Sequence, residues 1–119
     1  MDTRHSTLLA AAAANALLAV VAGAFGAHAL ERSLDAHHLE IWETAARYHM
    51  YHALGMGLCA LAGAPRAGWV MQAGVAVFSG TLYLLAVTGT KWLGAITPIG
   101  GLVMMIGWLW LAITAWRRR

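Results

Sequence analysis

The chain has 119 residues, of which 61% are hydrophobic and 11% charged, with a formal net charge of +3. That length holds one domain, and the composition lies far outside the range of water-soluble domains, since so small a body buries only part of its apolar surface. The positive charge does not mark a nucleic-acid binder: three of the eight basic residues are the run Arg117, Arg118, Arg119 behind an apolar segment, which is an orientation signal.

In chain order, four apolar stretches read as membrane-spanning helices: about 7–30, 42–63, 67–88 and 98–116. Each is close to the roughly 20 residues that a hydrocarbon core about 30 Å thick requires at 1.5 Å per residue. Helix is the only sensible reading, because lipid offers nothing to an unpaired backbone group. The expected architecture is therefore an all-α integral membrane protein, a single transmembrane domain built as an antiparallel four-helix bundle.

The first stretch follows Arg4 and contains the small residues Ala22, Gly23 and Ala24, which resemble a signal-peptidase site. Its apolar run continues to Leu30, too long for a signal core, so it is read as a span. Segment 31–41 is polar enough for an outer loop ending in an interfacial turn, and the adjacent His37 and His38 are read as a solvated pair. Ala64, Pro65 and Arg66 form a short turn. Thr97 and Pro98 read as an N-cap with proline at the first helical position, leaving 89–96 as a loop; a kinked longer helix is the alternative.

An even number of spans places both termini on one side. Arg4, Arg66 and the three terminal arginines gather there, against Arg32, Arg47 and Lys91 opposite, so the termini are expected in the cytoplasm and the protein in the inner (plasma) membrane. Trp69 and Trp116 then fall at the inner boundary and Trp42 and Trp92 at the outer, with Trp108 and Trp110 deeper as packing or lipid contacts.

Small residues four apart mark candidate helix contacts: Ala19, Gly23, Ala27 with Ala22, Gly26 in the first span, Gly55, Cys59, Gly63 in the second, Ala76, Gly80 in the third. Asn15 and Gln72 are candidate interhelical hydrogen bonds. Cys59 is the single cysteine, so no intrachain disulfide is possible.

Residues able to carry chemistry concentrate in the second span, where His49, His52, Met56 and Cys59 recur at helical spacing on one stripe. All are possible ligands for a soft metal or haem iron, yet the set covers about 15 Å of axis, too long for one site. His28, His49 and His52 remain weak metal candidates, with no cofactor expected. Glu43 and Arg47, four apart with the acid first, suit a helical ion pair whose arginine snorkels outward. Topology carries His28, Arg47, His49, His52, Ser79, Tyr83 and Thr97 to one leaflet, either as a shared site or as a hydrogen-bond network that holds the helices together.

The strings Gly23 to His28, then Tyr48 and His52, then Phe78 to Tyr83, and finally Thr97 to Gly101 resemble the family of small four-span membrane proteins that includes the bacterial YgdD and YwdK proteins. The likeness covers nearly the whole chain and implies a membrane location without a known reaction. By that likeness His28, His52, Ser79, Tyr83, Thr97 and Pro98 are motif residues, while His49 stands where glutamine is common in the family.

The functional expectation is a non-enzymatic structural or accessory membrane protein, self-assembling or part of a larger complex, with the bilayer as its surroundings and no nucleic-acid partner. No Ser, His and Asp set, carboxylate pair or phosphate loop points to catalysis. Proton or small-solute transport through an oligomer, and metal or haem binding at the outer histidines, are the alternatives.

Overall fold

A computed structural model describes all residues, 1–119, as four long helices and one short turn of 3-10 helix: α1 Thr3–His28, the short turn Leu30–Arg32, α2 Ala36–Leu61, α3 Pro65–Thr88 and α4 Leu93–Arg117. At 1.5 Å per residue the long helices measure about 36–39 Å, more than a hydrocarbon core needs. By length and composition α1, α3 and α4 can cross a membrane. In α2, Glu40, Glu43, Arg47 and four histidines dilute the apolar run.

Local chemistry sets the ends. Asp2 caps α1 by accepting from the His5 backbone N–H at 3.0 Å, and Asp35 caps α2 through His38 at 2.8 Å. The α2–α3 turn needs a left-handed residue, supplied by Gly63 at φ +70°, and Gly89 closes α3 in the same way. Pro65 opens α3, where its missing N–H has no helical role.

Two expected boundaries move. Helix α2 starts at Ala36 and takes in much of the expected outer loop, because Asp35 supplies a cap that 31–41 was not credited with. Helix α4 starts at Leu93, so Pro98 lies inside it and Thr97 caps nothing; Thr97 Oγ1 instead bonds back to the Leu93 carbonyl at 3.1 Å. The first turn of α4 is tight, with i to i+3 bonds such as Ala95 N–H to the Trp92 carbonyl. The proline therefore falls in the second turn, where it offers no N–H to the Gly94 carbonyl.

Each helix packs on its neighbour in sequence, α1 on α2, α2 on α3 and α3 on α4, whereas α1 with α3 and α2 with α4 make slight contact and α1 has no packed interface with α4. The tightest seam is α3 with α4. A methyl group on Gly100 would strike the Phe78 backbone, one on Gly74 the Met104 backbone, and one on Gly107 the Met71 side chain. Of the expected small-residue positions, Gly26 packs on the Trp42 side chain and Ala19 and Cys59 are buried, but Gly23 and Gly80 look onto open space. Gly55, by contrast, is closely packed as expected, against Trp108 and Met71.

The compact core lies near the end that carries the chain termini, where Leu8, Met56, Cys59 and Met71 are buried together. Only 26 of the 119 residues are buried, so most apolar side chains face outward, as a lipid environment requires. At that same end Arg118 donates to the Ala62 carbonyl and, at 2.8 Å, to the Gly63 carbonyl, tying the tail of α4 to the tail of α2. Arg119 lies over the Trp116 ring, 3.5 Å from its centre.

Candidate functional site

The polar side chains inside the helices form one directed chain whose orientation follows from a single carbonyl. Asn15 lies 2.8 Å from the Ala11 carbonyl, which can only accept, so the Asn15 atom there is the amide nitrogen. That nitrogen also donates to Gln72 on α3 at 2.7 Å, which makes the Gln72 atom its oxygen. The Asn15 oxygen must then accept, and its partner is His49 Nε2 on α2 at 2.9 Å. The ring proton therefore sits on Nε2. In the neutral ring Nδ1 accepts from the Tyr83 hydroxyl at 3.0 Å. Tyr83, His49, Asn15 and Gln72 thus link α1, α2 and α3 through hydrogen bonds that all point the same way.

A second polar link lies on the α4 side of α2. His52 Nε2 receives the Trp108 indole N–H at 3.0 Å, and an indole can only donate, so that nitrogen carries the lone pair. His52 Nδ1 bears the proton and gives it to the Tyr48 carbonyl at 2.7 Å. His52 is neutral, in the opposite tautomer to His49. Further bonds fasten the other pairs: Ser79 Oγ to the Ala45 carbonyl at 2.8 Å, Trp42 Nε1 to the Ala22 carbonyl at 2.7 Å, and the Thr81 and Thr97 hydroxyls to each other at 2.7 Å.

Two clefts flank these links. One, of about 500 Å³, lies between α1 and α3 with Asn15, His49, Gln72 and Tyr83 in its wall. The other, of about 630 Å³, lies between α2 and α4 and contains Tyr48, His52, Phe78 and Trp108.

Of the residues singled out by sequence, His49 and Tyr83 meet directly, His52 stands on the other side of α2, and Ser79 and Thr97 bond to neighbouring helices. His28 and Arg47 are exposed and join none of these links. Glu43 and Arg47 form no ion pair; both are exposed near the charged end of α2. The stripe of His49, His52, Met56 and Cys59 splits three ways, toward α1 and α3, toward α4, and into the core. Both nitrogens of His49 and of His52 are engaged in hydrogen bonds, so neither ring offers a free lone pair to a metal.

Asn15 and Gln72, expected to bond between helices, bond to each other. Trp108 and Trp42 were read as packing or belt residues and turn out to be donors. An indole N–H inside an apolar helix needs an acceptor, and that requirement is the signal that could have found them.

Comparison with known proteins fits this picture of a small helical membrane protein. A family described as "Protein of unknown function (DUF423)" matches residues 22–101. The chain belongs to this family. It is 47% identical over 111 residues to the UPF0382 membrane protein YwdK of Bacillus subtilis, covering 87% of this chain and 90% of that one. It is 46% identical over 107 residues to the UPF0382 membrane protein SSP2132 of Staphylococcus saprophyticus, covering 85% and 89%. A Staphylococcus epidermidis relative, the UPF0382 membrane protein SERP0230, is 49% identical over 107 residues, covering 85% and 88%. No solved structure matches the chain. This DUF423 protein is thus a member of a membrane-protein family whose function is unknown, with α1, α3 and α4 as its candidate spans.

Proposed function

We propose that this DUF423 protein is a four-span component of the cytoplasmic membrane, with both termini in the cytoplasm, and that its role is structural or accessory rather than enzymatic. The carrying observation is that the titratable groups inside the helices are spent within the chain: both ring nitrogens of His49 and of His52 and the Tyr83 hydroxyl are hydrogen-bonded. A catalytic or conducting group needs unspent capacity, whereas a scaffold needs none.

The four-span reading is supported by the position of α2, which packs on α1 and α3 along its length although its first turns are charged. Arg4, Arg66 and Arg117–Arg119 lie at one end, Arg32 and Lys91 at the other, which supports cytoplasmic termini. The lipid bilayer is the surrounding medium, and the outward apolar faces and the unpacked α1 and α4 edges favour a second copy or a larger membrane complex as partner, with no nucleic acid.

Impermeant maleimide labelling of intact cells tests the arrangement. Thr90→Cys is expected to react from outside and Arg119→Cys only after permeabilisation; the reverse pattern rejects it. Crosslinking in native membranes tests the role: discrete oligomers or a defined co-purifying protein are expected, and a lone monomer that catalyses or conducts would overturn it.

A further inference from the structure

The cleft between α1 and α3 has a volume of about 500 Å³, within the roughly 300–1,000 Å³ of sites that take one small molecule. Helices α1 and α3 touch around Leu8 with Gly68 and Asn15 with Gln72, and beyond that point they are held apart by Trp42 and Tyr83, whose rings are 4.6 Å apart. Helix α4 contributes nothing to the lining, so the opening faces away from the packed helices, toward lipid. No charged residue lines it. A charged head group would find no counter-charge there, which restricts the occupant to a neutral molecule.

Every hydrogen-bond donor in the wall has a partner within the chain except one. Asn15 donates to Ala11 and Gln72, His49 to Asn15, Tyr83 to His49, Ser79 to Ala45 and Trp42 to Ala22. The amide nitrogen of Gln72 carries two protons and donates to nothing. Its identity is not a free choice, because the Ala11 carbonyl fixes Asn15, and Asn15 fixes Gln72 oxygen inward. Gln72 lies seven residues into α3, about 10 Å along the axis, where lipid tails supply no acceptor. An amide left so is costly, and a carbonyl oxygen satisfies it.

We propose that this cleft binds a neutral lipid-phase molecule bearing a carbonyl group, whose oxygen accepts from Gln72 Nε2 while its apolar body lies between α1 and α3 against Leu18, Val21 and Val75. Two sources present that chemistry, the ring carbonyl of a membrane quinone and the ester carbonyl of a glycerolipid. The depth of Gln72 suits the first, since ester groups sit at the hydrocarbon boundary.

The test uses full-length protein in dodecyl maltoside, a detergent without carbonyls, titrated separately with decylbenzoquinone and dioctanoylglycerol and read by native mass spectrometry. A saturable one-to-one adduct is expected, weakened about tenfold by Gln72→Leu through loss of one hydrogen bond. Gly80→Leu is the decisive variant: a Cβ at 80 meets nothing within 4 Å, so a leucine can enter from the cleft wall and occupy its space. It should abolish the adduct and keep the thermal midpoint of the ligand-free protein. Gly23→Leu, also facing open space but outside the lining, should bind normally. Binding of decylbenzoquinone alone identifies a ring carbonyl, and of dioctanoylglycerol alone an ester. An adduct with neither probe, or one of undiminished strength in Gly80→Leu, overturns the proposal, as does a dimer that Gly80→Leu dissociates.

Discussion

Asn15 and Gln72 stand 57 positions apart and share a 2.7 Å hydrogen bond that ends the chain running from Tyr83 through His49, whose direction the Ala11 carbonyl fixes. If the pair works as a unit, its energy should appear as coupling. In a double-mutant cycle of Asn15→Ala and Gln72→Ala, followed by denaturant unfolding in detergent, we expect a coupling of about 0.6 kcal/mol and at most about 1.7 kcal/mol, the range found between membrane helices. Asn15→Ala alone should cost more than Gln72→Ala, because it also strands the His49 Nε2 proton. Additive losses would show that the two amides do not interact.

The α3–α4 seam gives a sharper contrast. Gly100→Ala places a methyl group into the Phe78 backbone, which cannot swing aside, so the helices must part. We expect a loss of about 1–3 kcal/mol or more from overpacking. Gly23→Ala has nothing within 4 Å to meet and removes a flexible residue from a helix, so it should be neutral or gain up to about 1 kcal/mol. Thermal midpoints of the two variants, measured side by side in one detergent, check this; equal effects would refute the seam.

These glycines mark where sequence reading stopped. Apolar run length, diluted though it is in α2, made the four helices legible, and the Asn15 and Gln72 amides stood out because a polar group there has to find a partner. Which small residues touch was legible only in part: spacing by four selected Gly26 and Gly55, which are closely packed, but also Gly23 and Gly80, which face open space, and it passed over Gly74 and Gly100. Spacing describes one helix, whereas contact depends on the rotation of two. The same gap explains why His49 and His52, three apart, fall on one stripe in the sequence and yet part in the fold. A separation of about 100° per residue lets one turn toward α1 and α3 and the other toward α4. The proline in α4 misled for a different reason, since the Trp92 end carries the tight first turn and Pro98 is tolerated just behind it.

The His52 and Trp108 pair predicts an asymmetry. Trp108→Phe keeps an aromatic ring but removes the only donor to His52 Nε2, leaving a lone pair unsatisfied in an apolar setting, so a loss of about 1–3 kcal/mol is expected. Adding His52→Leu to that variant should cost little more, because the orphaned acceptor goes with it. A double variant as damaged as the sum of the two singles would show that the indole acts through packing alone.

The last prediction concerns acid. Asp35 caps α2, and its carboxyl is held below the ordinary carboxylate range, first by the hydrogen bond from the His38 backbone N–H and then by the His38 side chain, whose Nδ1 lies 2.8 Å away. Because the folded-state pKa is the lower one, the capping contribution is complete above the unfolded value of about 3.9 and disappears as the pH falls through the folded value. Hydrogen exchange at the backbone amides of 36–39, followed between pH 6 and 3, should therefore show the first turn of α2 losing protection only at the acid end, after correction for intrinsic rates. Asparagine caps as well as aspartate but does not titrate, so Asp35→Asn should retain the cap and remove the pH dependence. If the acid-induced opening persists unchanged in Asp35→Asn, the Asp35 carboxylate is not its cause.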